Sequence, residues 1–205
     1  MGQSPLGFNL KNSKNALVPG YADSQSAQWT AQRHGKYYAG NNAQLAFSGA
    51  NQSGATLSAG LATTYTGLCL SNPAGSGVNL VIQKVSGALI VAPAAVLGLG
   101  IITGYLAAGI TVHTTALTPA PRKIGSSATP AGLVDAACTL VGTPVWTQWL
   151  ADNAASAGLF GFVQDMDGEV ILQPGAYLAI GANVAGPTAG FLGAISWEEL
   201  PIASA

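Results

Sequence analysis

The sequence predicts an all-β protein, an antiparallel β-sandwich of the jelly-roll type with an extended N-terminal arm. Three observations favour this class. Apolar residues alternate with polar ones along several short runs, as at Val78, Leu80 and Ile82, and this period of two is typical of half-buried strands. Turn-forming residues separate the runs at intervals of about ten residues, the spacing of a sandwich. Pro174 and Gly175, between two apolar runs, are the residues that a type II turn requires, so the strands that flank them pair antiparallel.

Residues 1–42 predict an extended arm, because they contain many turn formers and little hydrophobic periodicity. The arm is basic, whereas the rest of the chain carries an excess of acidic residues. Its basic residues, the candidates for binding an acidic partner, are Lys11, Lys14, Arg33 and Lys36. Two alternatives stay open: the segment is a disordered tail, or its basic residues serve only solubility.

Residues 43–205 predict the sandwich domain itself, with roughly eight to ten strands. The earlier strands are expected at residues 45–47, 57–59, 68–71, 78–85, 88–92, 96–103 and 110–115. Gly87 is expected to form a turn between two of these runs, and Pro119 and Pro121 are expected to end sheet pairing after the last of them. The closing strands are expected at residues 160–164, 169–173, 176–181 and 191–198.

Residues 122–160 predict a connection between the sheets that contains one or two short helices. Thr129 and Pro130 form a helix start signal. Trp146 and Trp149 are three positions apart, which suits one turn of a helix. For residues 131–141 a strand fits the apolar pattern about as well, so both structures stay open there.

The chain carries unusually little charge. Charged residues make up 7% of it, against roughly 25% in an ordinary soluble domain. Such a surface is poorly protected against association, so we expect most of it to be covered by further copies or by a partner, the alternative being a low-charge monomer. A net charge of −1 argues against direct nucleic-acid binding. The uncharged stretch 88–110 is interrupted by Pro93 and several glycines, which favours strands over a membrane span.

The sequence contains no recognisable catalytic motif or cofactor-binding motif. His34 and His113 are its only histidines, and neither stands at a metal-ligand spacing from another ligand. Cys69 and Cys138 both lie in apolar runs, so we expect buried free thiols, with a disulfide between them as the alternative.

The only acidic cluster consists of Asp165, Asp167 and Glu169. Three carboxylates at alternate positions are suitable ligands for calcium, and the same residues would be the candidates if the chain were a β-sandwich hydrolase. However, Asp167 followed by Gly168 is also a common turn dipeptide. We favour the turn, and we expect neither a cofactor nor catalysis.

Three stretches resemble virion structural proteins of tailed bacteriophages, and specifically their small jelly-roll decoration or cement proteins. The stretches are residues 168–180 (GEVILQPGAYLAI), 193–201 (GAISWEELP) and 37–42 (YYAGNN). The resemblance implies a protein without catalytic activity, assembled in the host cytoplasm and carried on the capsid exterior. It would form dimers or trimers and would bind and stabilise the lattice of the major capsid protein, without contacting nucleic acid or a membrane.

The Pro-Gly-Ala-Tyr-Leu hairpin at residues 174–178 also resembles trimeric sandwiches of the tumour-necrosis-factor type and the receptor-binding tips of phage fibres. This second resemblance implies a receptor- or glycan-binding module of a fibre or spike. Such a module needs exposed aromatic residues, for which Trp146 and Trp149 are the candidates.

Overall fold

A computed structural model describes residues 7–11, 17–21, 36–110, 112–153 and 160–202 of the chain. The chain divides into two units, Met1–Tyr38 and Ala39–Ala205, whereas the sequence placed the end of the arm after residue 42. In the first unit, β1 (Gly7–Lys11) and β2 (Leu17–Tyr21) pair antiparallel.

The second unit contains two antiparallel sheets, which confirms the predicted all-β sandwich class. The short helix α1 (Tyr38–Asn42) contains the boundary between the two units. The strands of the second unit are β3 (Ala46–Ala50), β4 (Thr64–Ser71), β5 (Val78–Leu89), β6 (Leu97–Tyr105), β7 (His113–Leu117), β8 (Ala120–Pro121), β9 (Leu133–Thr139), β10 (Val145–Asn153), β11 (Phe160–Asp165), β12 (Ile171–Leu172), β13 (Ala176–Ala182) and β14 (Phe191–Pro201). Among the described residues, no helix has the length and apolar character needed to cross a membrane.

Most successive strands of the second unit alternate between the two sheets. The first sheet has the order β11-β5-β14-β3-β8, with β12 also paired to β5, and the second has the order β10-β6-β13-β4-β9-β7. The chain thus changes sheet at each step from β3 to β6 and again from β10 through β11 and β13 to β14. This alternation is typical of a jelly roll. Outside it, β7 and β9 lie at one edge of the second sheet, β8 lies at one edge of the first, and β12 stays in the first sheet after β11.

The main core lies between the inner faces of the two sheets. Because side chains alternate along a strand, every second residue of each strand enters it. The second sheet contributes Leu68, Leu70, Leu99, Ile101, Leu178 and Ile180, and the first contributes Leu80, Ile82, Val85, Phe191, Ile195 and Trp197. All of these side chains are almost completely buried.

A second apolar cluster covers the outward face of the second sheet. It contains Tyr65, Cys69, Ile102, Cys138, Leu140, Tyr177 and Ala179. The partly buried side chains of Ile110, Val141 and Trp146 pack against this cluster. The middle strands of this sheet are therefore buried on both faces, which explains the nearly continuous apolar run at 96–103.

Two of the predicted turns are confirmed, but the antiparallel pairing predicted for the strands that flank Pro174 and Gly175 is wrong, because β12 lies in the first sheet and β13 in the second. Gly175 has a φ of 93°, and the backbone N–H of Ala176 donates to the carbonyl of Gln173 at 2.9 Å. Asp167 and Gly168 both have positive φ, 48° and 89°, as expected for a tight turn at this dipeptide. The turn interrupts a strand path and is not a hairpin, because β11 and β12 both pair with β5.

The predicted helices between residues 122 and 160 are wrong, because the described part of this segment contains the strands β9 and β10 instead. Two irregularities in the pairing of β10 with β6 explain the misleading pattern. They lie between Trp146 and Gln148 and between Trp149 and Ala151. Each β-bulge inserts one extra residue, so every third side chain of this part of β10 points to the same side of the sheet. A spacing of three is close to the period of a helix, which is why the sequence suggested one.

One predicted strand break is wrong, and a second holds only in part: β7 ends at Leu117, before Pro119, but sheet pairing resumes at Pro121. Gly87 lies inside β5, where an added Cβ would come within 2.8 Å of the rings of Phe162 and Phe191. Close ring packing, and not a turn, therefore requires glycine at this position. Pro121 pairs with Phe47 of β3. The sheet accepts this proline because β8 is an edge strand, whose outer side needs no donor.

Candidate functional site

Uncharged residues, most of them small, form two rows on the outward face of the first sheet. The strand register places them in two adjacent rows, Ala50, Ala194, Ser86 and Val163, and then Leu192, Ala88 and Gly161. They alternate with core residues such as Ile195, so their side chains point away from the core. Together they form a shallow, open concavity of about 470 Å³.

The next row of this face carries charges that compensate each other. Nζ of Lys84 lies 3.1 Å from Oδ1 of Asp165, directly across from it on β11. Val163, in the neighbouring row, exposes 67% of its surface. A second flat surface could approach this face closely, because few side chains project and few charges would lose water.

The structure does not bring the three acidic candidates together as a calcium site. Asp165 pairs with Lys84, Asp167 occupies a turn position, and Glu169 is exposed. Among the residues that the structure describes, no group of three or more His, Cys, Asp or Glu side chains could hold a metal ion.

The basic residues of the arm are only partly described. Lys14 and Arg33 lie outside the described residues, and Lys11 is placed by its backbone alone, in β1. Nζ of Lys36 lies 5.3 Å from the ring centroid of Tyr37, within the range of a cation–π interaction. The role of these residues in binding a partner stays a prediction.

The two tryptophans predicted as exposed aromatics lie together. Their rings stack with centroids 4.6 Å apart and an interplanar angle of 22°. Trp149 exposes 56% of its surface, whereas Trp146 is partly buried against the cluster on the outward face of the second sheet.

A polar pair with one completely buried member lies beside that cluster, and the sequence predicted neither the pairing nor the burial. Nδ1 of His113 is 2.8 Å from Oδ2 of Asp135, and the Asp135 side chain is completely buried. No described group donates to its Oδ1. Burial raises the pKa of Asp135, and the hydrogen bond and charge of His113 partly offset this. The only sequence signal was an aspartate in the middle of the apolar run 133–141.

The two cysteines are free and buried, as predicted. The adjacent Cys138 thiol and burial together raise the pKa of Cys69 well above its ordinary value. A thiol with a raised pKa is a poor nucleophile, since the thiolate is the reactive form. Burial likewise raises the pKa of Tyr177 to about 12, and its hydroxyl donates to the carbonyl of Val141 at 2.9 Å. This cluster therefore favours a structural role over nucleophilic catalysis.

Replacing Asp135 by asparagine should change how stability depends on pH. Because the folded-state pKa of Asp135 is raised, the folded protein binds more protons than the unfolded chain between the unfolded pKa, about 4, and the folded pKa. The free energy of unfolding contributed by Asp135 therefore falls as pH rises through that interval. Urea unfolding of both proteins at a series of pH values measures this. As pH rises through that interval, the free energy of unfolding of Asp135→Asn should increase relative to that of the wild type. Parallel curves would contradict the raised pKa.

No protein-family model matches this chain, and comparisons with curated proteins and with solved structures found no match either.

Proposed function

We propose that this protein is a structural component of a bacteriophage particle, a decoration or cement protein of the capsid exterior. Copies of the chain associate as dimers or trimers and bind the lattice of the major capsid protein, which they stabilise. The observation that carries this proposal is the outward face of the first sheet, with its two rows of small uncharged residues.

The chemistry of this face suits a contact that symmetry repeats many times. Val163 and Ile171 expose 67% and 56% of their surface on strands of this sheet, and their burial would contribute about 25 cal/mol for each Å² removed from water. The nearest ion pair on this face joins Lys84 and Asp165 of the same chain, so a partner need not supply a charge to either of them. Weak apolar contacts of this kind become effective when many copies bind one lattice.

The strand order and the composition support the same class. Alternation of successive strands between two sheets is typical of jelly rolls, an architecture that viral capsid proteins use repeatedly. A charged fraction of 7% would be a liability on a free surface, but it lowers the cost of desolvation when that surface is covered. The basic arm offers a second contact, with an acidic neighbour.

Replacing Ala194 by arginine should weaken self-association by about tenfold or more. The new charge would stand in the centre of the outward face of the first sheet and would have to lose water in any contact there. Its side chain points to solvent in a single copy, so the fold should persist. Sedimentation velocity over a range of protein concentrations measures the effect. The matched control is Thr114→Arg on the exposed strand β7.

A direct test uses particles assembled with and without this chain. Electron microscopy should show additional density on the outside of the shell only when the chain is present, and shells without it should burst at a lower temperature. A wild-type chain that stays monomeric at high concentration and leaves particle density unchanged would contradict the proposal.

One observation favours the second candidate, a receptor- or glycan-binding module, and this is the exposure of Trp149. A binding module requires an accessible aromatic surface, and the ring stack with Trp146 provides one. Particles lacking this chain would then bind host cells less well but keep their thermal stability, which separates the two functions.

A further inference from the structure

We propose that the outward side of β10 is a binding site for a neutral sugar, in which the indole of Trp149 stacks on a pyranose ring while Asp152 and Asn183 bond to its hydroxyls. The site does not depend on the capsid role, because it is complete within one chain.

The two β-bulges create this site. In the pairing of β10 with β6, Trp146 lies opposite Ile102, Trp149 opposite Gly100 and Asp152 opposite Gly98. Residues 98, 100 and 102 are two positions apart on β6 and therefore face the same side of the sheet. This is the outward side, because Ile102 belongs to the apolar cluster there. A regular strand would have sent Trp146 and Trp149 to opposite sides. Bulges frequently re-aim side chains next to functional sites.

A row of glycines leaves room for the two indoles. An added Cβ at Gly100 would lie 2.7 Å from the carbonyl oxygen of Gln148 and 3.0 Å from the ring of Trp146. One at Gly181 would lie 2.9 Å from that same ring. Trp146 is thereby held against the sheet, and Trp149 stacks on it with more than half of its own surface exposed. An aromatic surface fixed in this way loses little conformational entropy on binding.

Polar groups lie at one side of the exposed ring. Oδ1 of Asn183 accepts a hydrogen bond from the backbone N–H of Gly98 at 2.7 Å, which fixes the amide plane and leaves the Nδ2 donor for a ligand. Asp152, Asn183 and Trp149 line one open cavity of about 490 Å³, a volume in the range of small-ligand sites.

These groups match a neutral sugar better than other ligands that stack on aromatic rings. A pyranose has one face of C–H groups and a rim of hydroxyls, each able to donate and to accept. The carboxylate of Asp152 accepts from such hydroxyls, and Nδ2 of Asn183 donates to them. A nucleotide could also stack, but its phosphate would meet the Asp152 carboxylate, and none of the described residues that line this cavity is a lysine or an arginine. Uronic and sialic acids are disfavoured for the same reason.

The test is a titration of the purified chain, with tryptophan fluorescence and calorimetry as the two readouts. The probes are methyl β-D-glucopyranoside, methyl β-D-galactopyranoside, methyl α-D-mannopyranoside, N-acetyl-D-glucosamine and the β-linked tetrasaccharides cellotetraose and chitotetraose. D-glucuronic acid and N-acetylneuraminic acid are the anionic sugars for comparison, and adenosine monophosphate is the nucleotide for comparison. At least one neutral probe should bind, and the charged probes should bind at least about tenfold more weakly.

Three variants locate the site. Trp149→Ala should weaken binding by about tenfold or more, and Asp152→Asn should weaken it less while raising the relative affinity for D-glucuronic acid. Gly98→Ala keeps the fold, because its new Cβ would meet Trp149 and Asn183 at ordinary distances of 3.5 and 3.6 Å, but the added methyl group narrows the cavity floor and should also weaken binding. Ile124→Ala, at a residue that exposes 90% of its surface and belongs to neither proposed site, is the control and should bind like the wild type.

The outcomes that overturn the proposal are equally definite. It fails if no neutral probe binds at roughly 50 mM, a concentration that saturates a millimolar site. It also fails if Trp149→Ala binds as tightly as the wild type, or if the nucleotide binds more tightly than every sugar. Trp149 is largely exposed, so its truncation should leave the thermal unfolding midpoint nearly unchanged, and loss of binding would not reflect loss of the fold.

Discussion

Replacing Trp197 by alanine is expected to lower the free energy of unfolding by about 3–5 kcal/mol. Trp197 is the largest fully buried side chain of the main core. It lies on β14 in the middle of the first sheet, and its ring centroid is 6.1 Å from that of Phe47 on the neighbouring strand. Alanine would leave a cavity between the two sheets that the surrounding strands cannot fill. Guanidinium unfolding followed by circular dichroism measures the loss.

The control for this change is Leu200→Ala on the same strand. Leu200 exposes 40% of its surface, so its truncation should cost under about 1 kcal/mol. Equal losses for the two variants would mean that the packing between the sheets does not determine stability. The thermal midpoint of Trp197→Ala should fall by about 10 °C, given the size of the chain.

Replacing Glu199 by glutamine is expected to lower the free energy of unfolding by about 2–4 kcal/mol. The buried carboxylate of Glu199 accepts three hydrogen bonds. Its Oε1 accepts from the backbone N–H of Gly132 at 2.9 Å and from Nε1 of Trp197 at 3.0 Å, and its Oε2 accepts from the backbone N–H of Ala131 at 3.0 Å. In glutamine an NH₂ group replaces one oxygen, so in either orientation of the amide a donor faces a donor.

Chemical denaturation of Glu199→Gln beside Glu169→Gln provides the measurement and its control. Glu169→Gln is the same substitution at an exposed turn, where it should change the free energy of unfolding by no more than about 0.5 kcal/mol. Since Glu199 joins the segment before β9 to β14, hydrogen exchange at Ala131 and Gly132 should accelerate in the Glu199 variant alone. Unchanged exchange there would contradict the anchoring role.

The sequence was sufficient for the strands whose signals are local. At Pro174 and Gly175 the turn depends on the backbone preferences of two adjacent residues, and the structure confirms it. The same holds for the alternation of Val78, Leu80 and Ile82, because period two follows directly from strand geometry.

The sequence was misleading where distant contacts decide the structure. Trp146 and Trp149 share one side of β10 because β6 pairs with two bulges, and no property of residues 145–153 alone shows this. Gly87 is required by the rings of Phe162 and Phe191, which lie far away in the sequence. Glycine therefore indicated a turn where it provides room for a ring.

The candidate sites were hard to predict for a related reason. The outward face of the first sheet takes residues from four strands, and only the pairing register places Ala50 beside Ala194 and Ser86. Each residue alone looks like an ordinary small residue in a strand. For the sugar site, the sequence indicated Trp149 as a candidate, but not Asp152 or Asn183, which join it through the bulges and through the bond to Gly98.

The position of β14 has a consequence for how the molecule is made. This strand lies between β5 and β3, so the first sheet cannot close on a ribosome until residues 191–201 have left the exit tunnel. Until then, β5 and β3 each hold an open hydrogen-bonding edge while more than a hundred residues are still being synthesised between β5 and β14. A nascent chain in this state can accept the same strand from a neighbouring copy, so crowding on polysomes should favour strand-exchanged dimers over single chains.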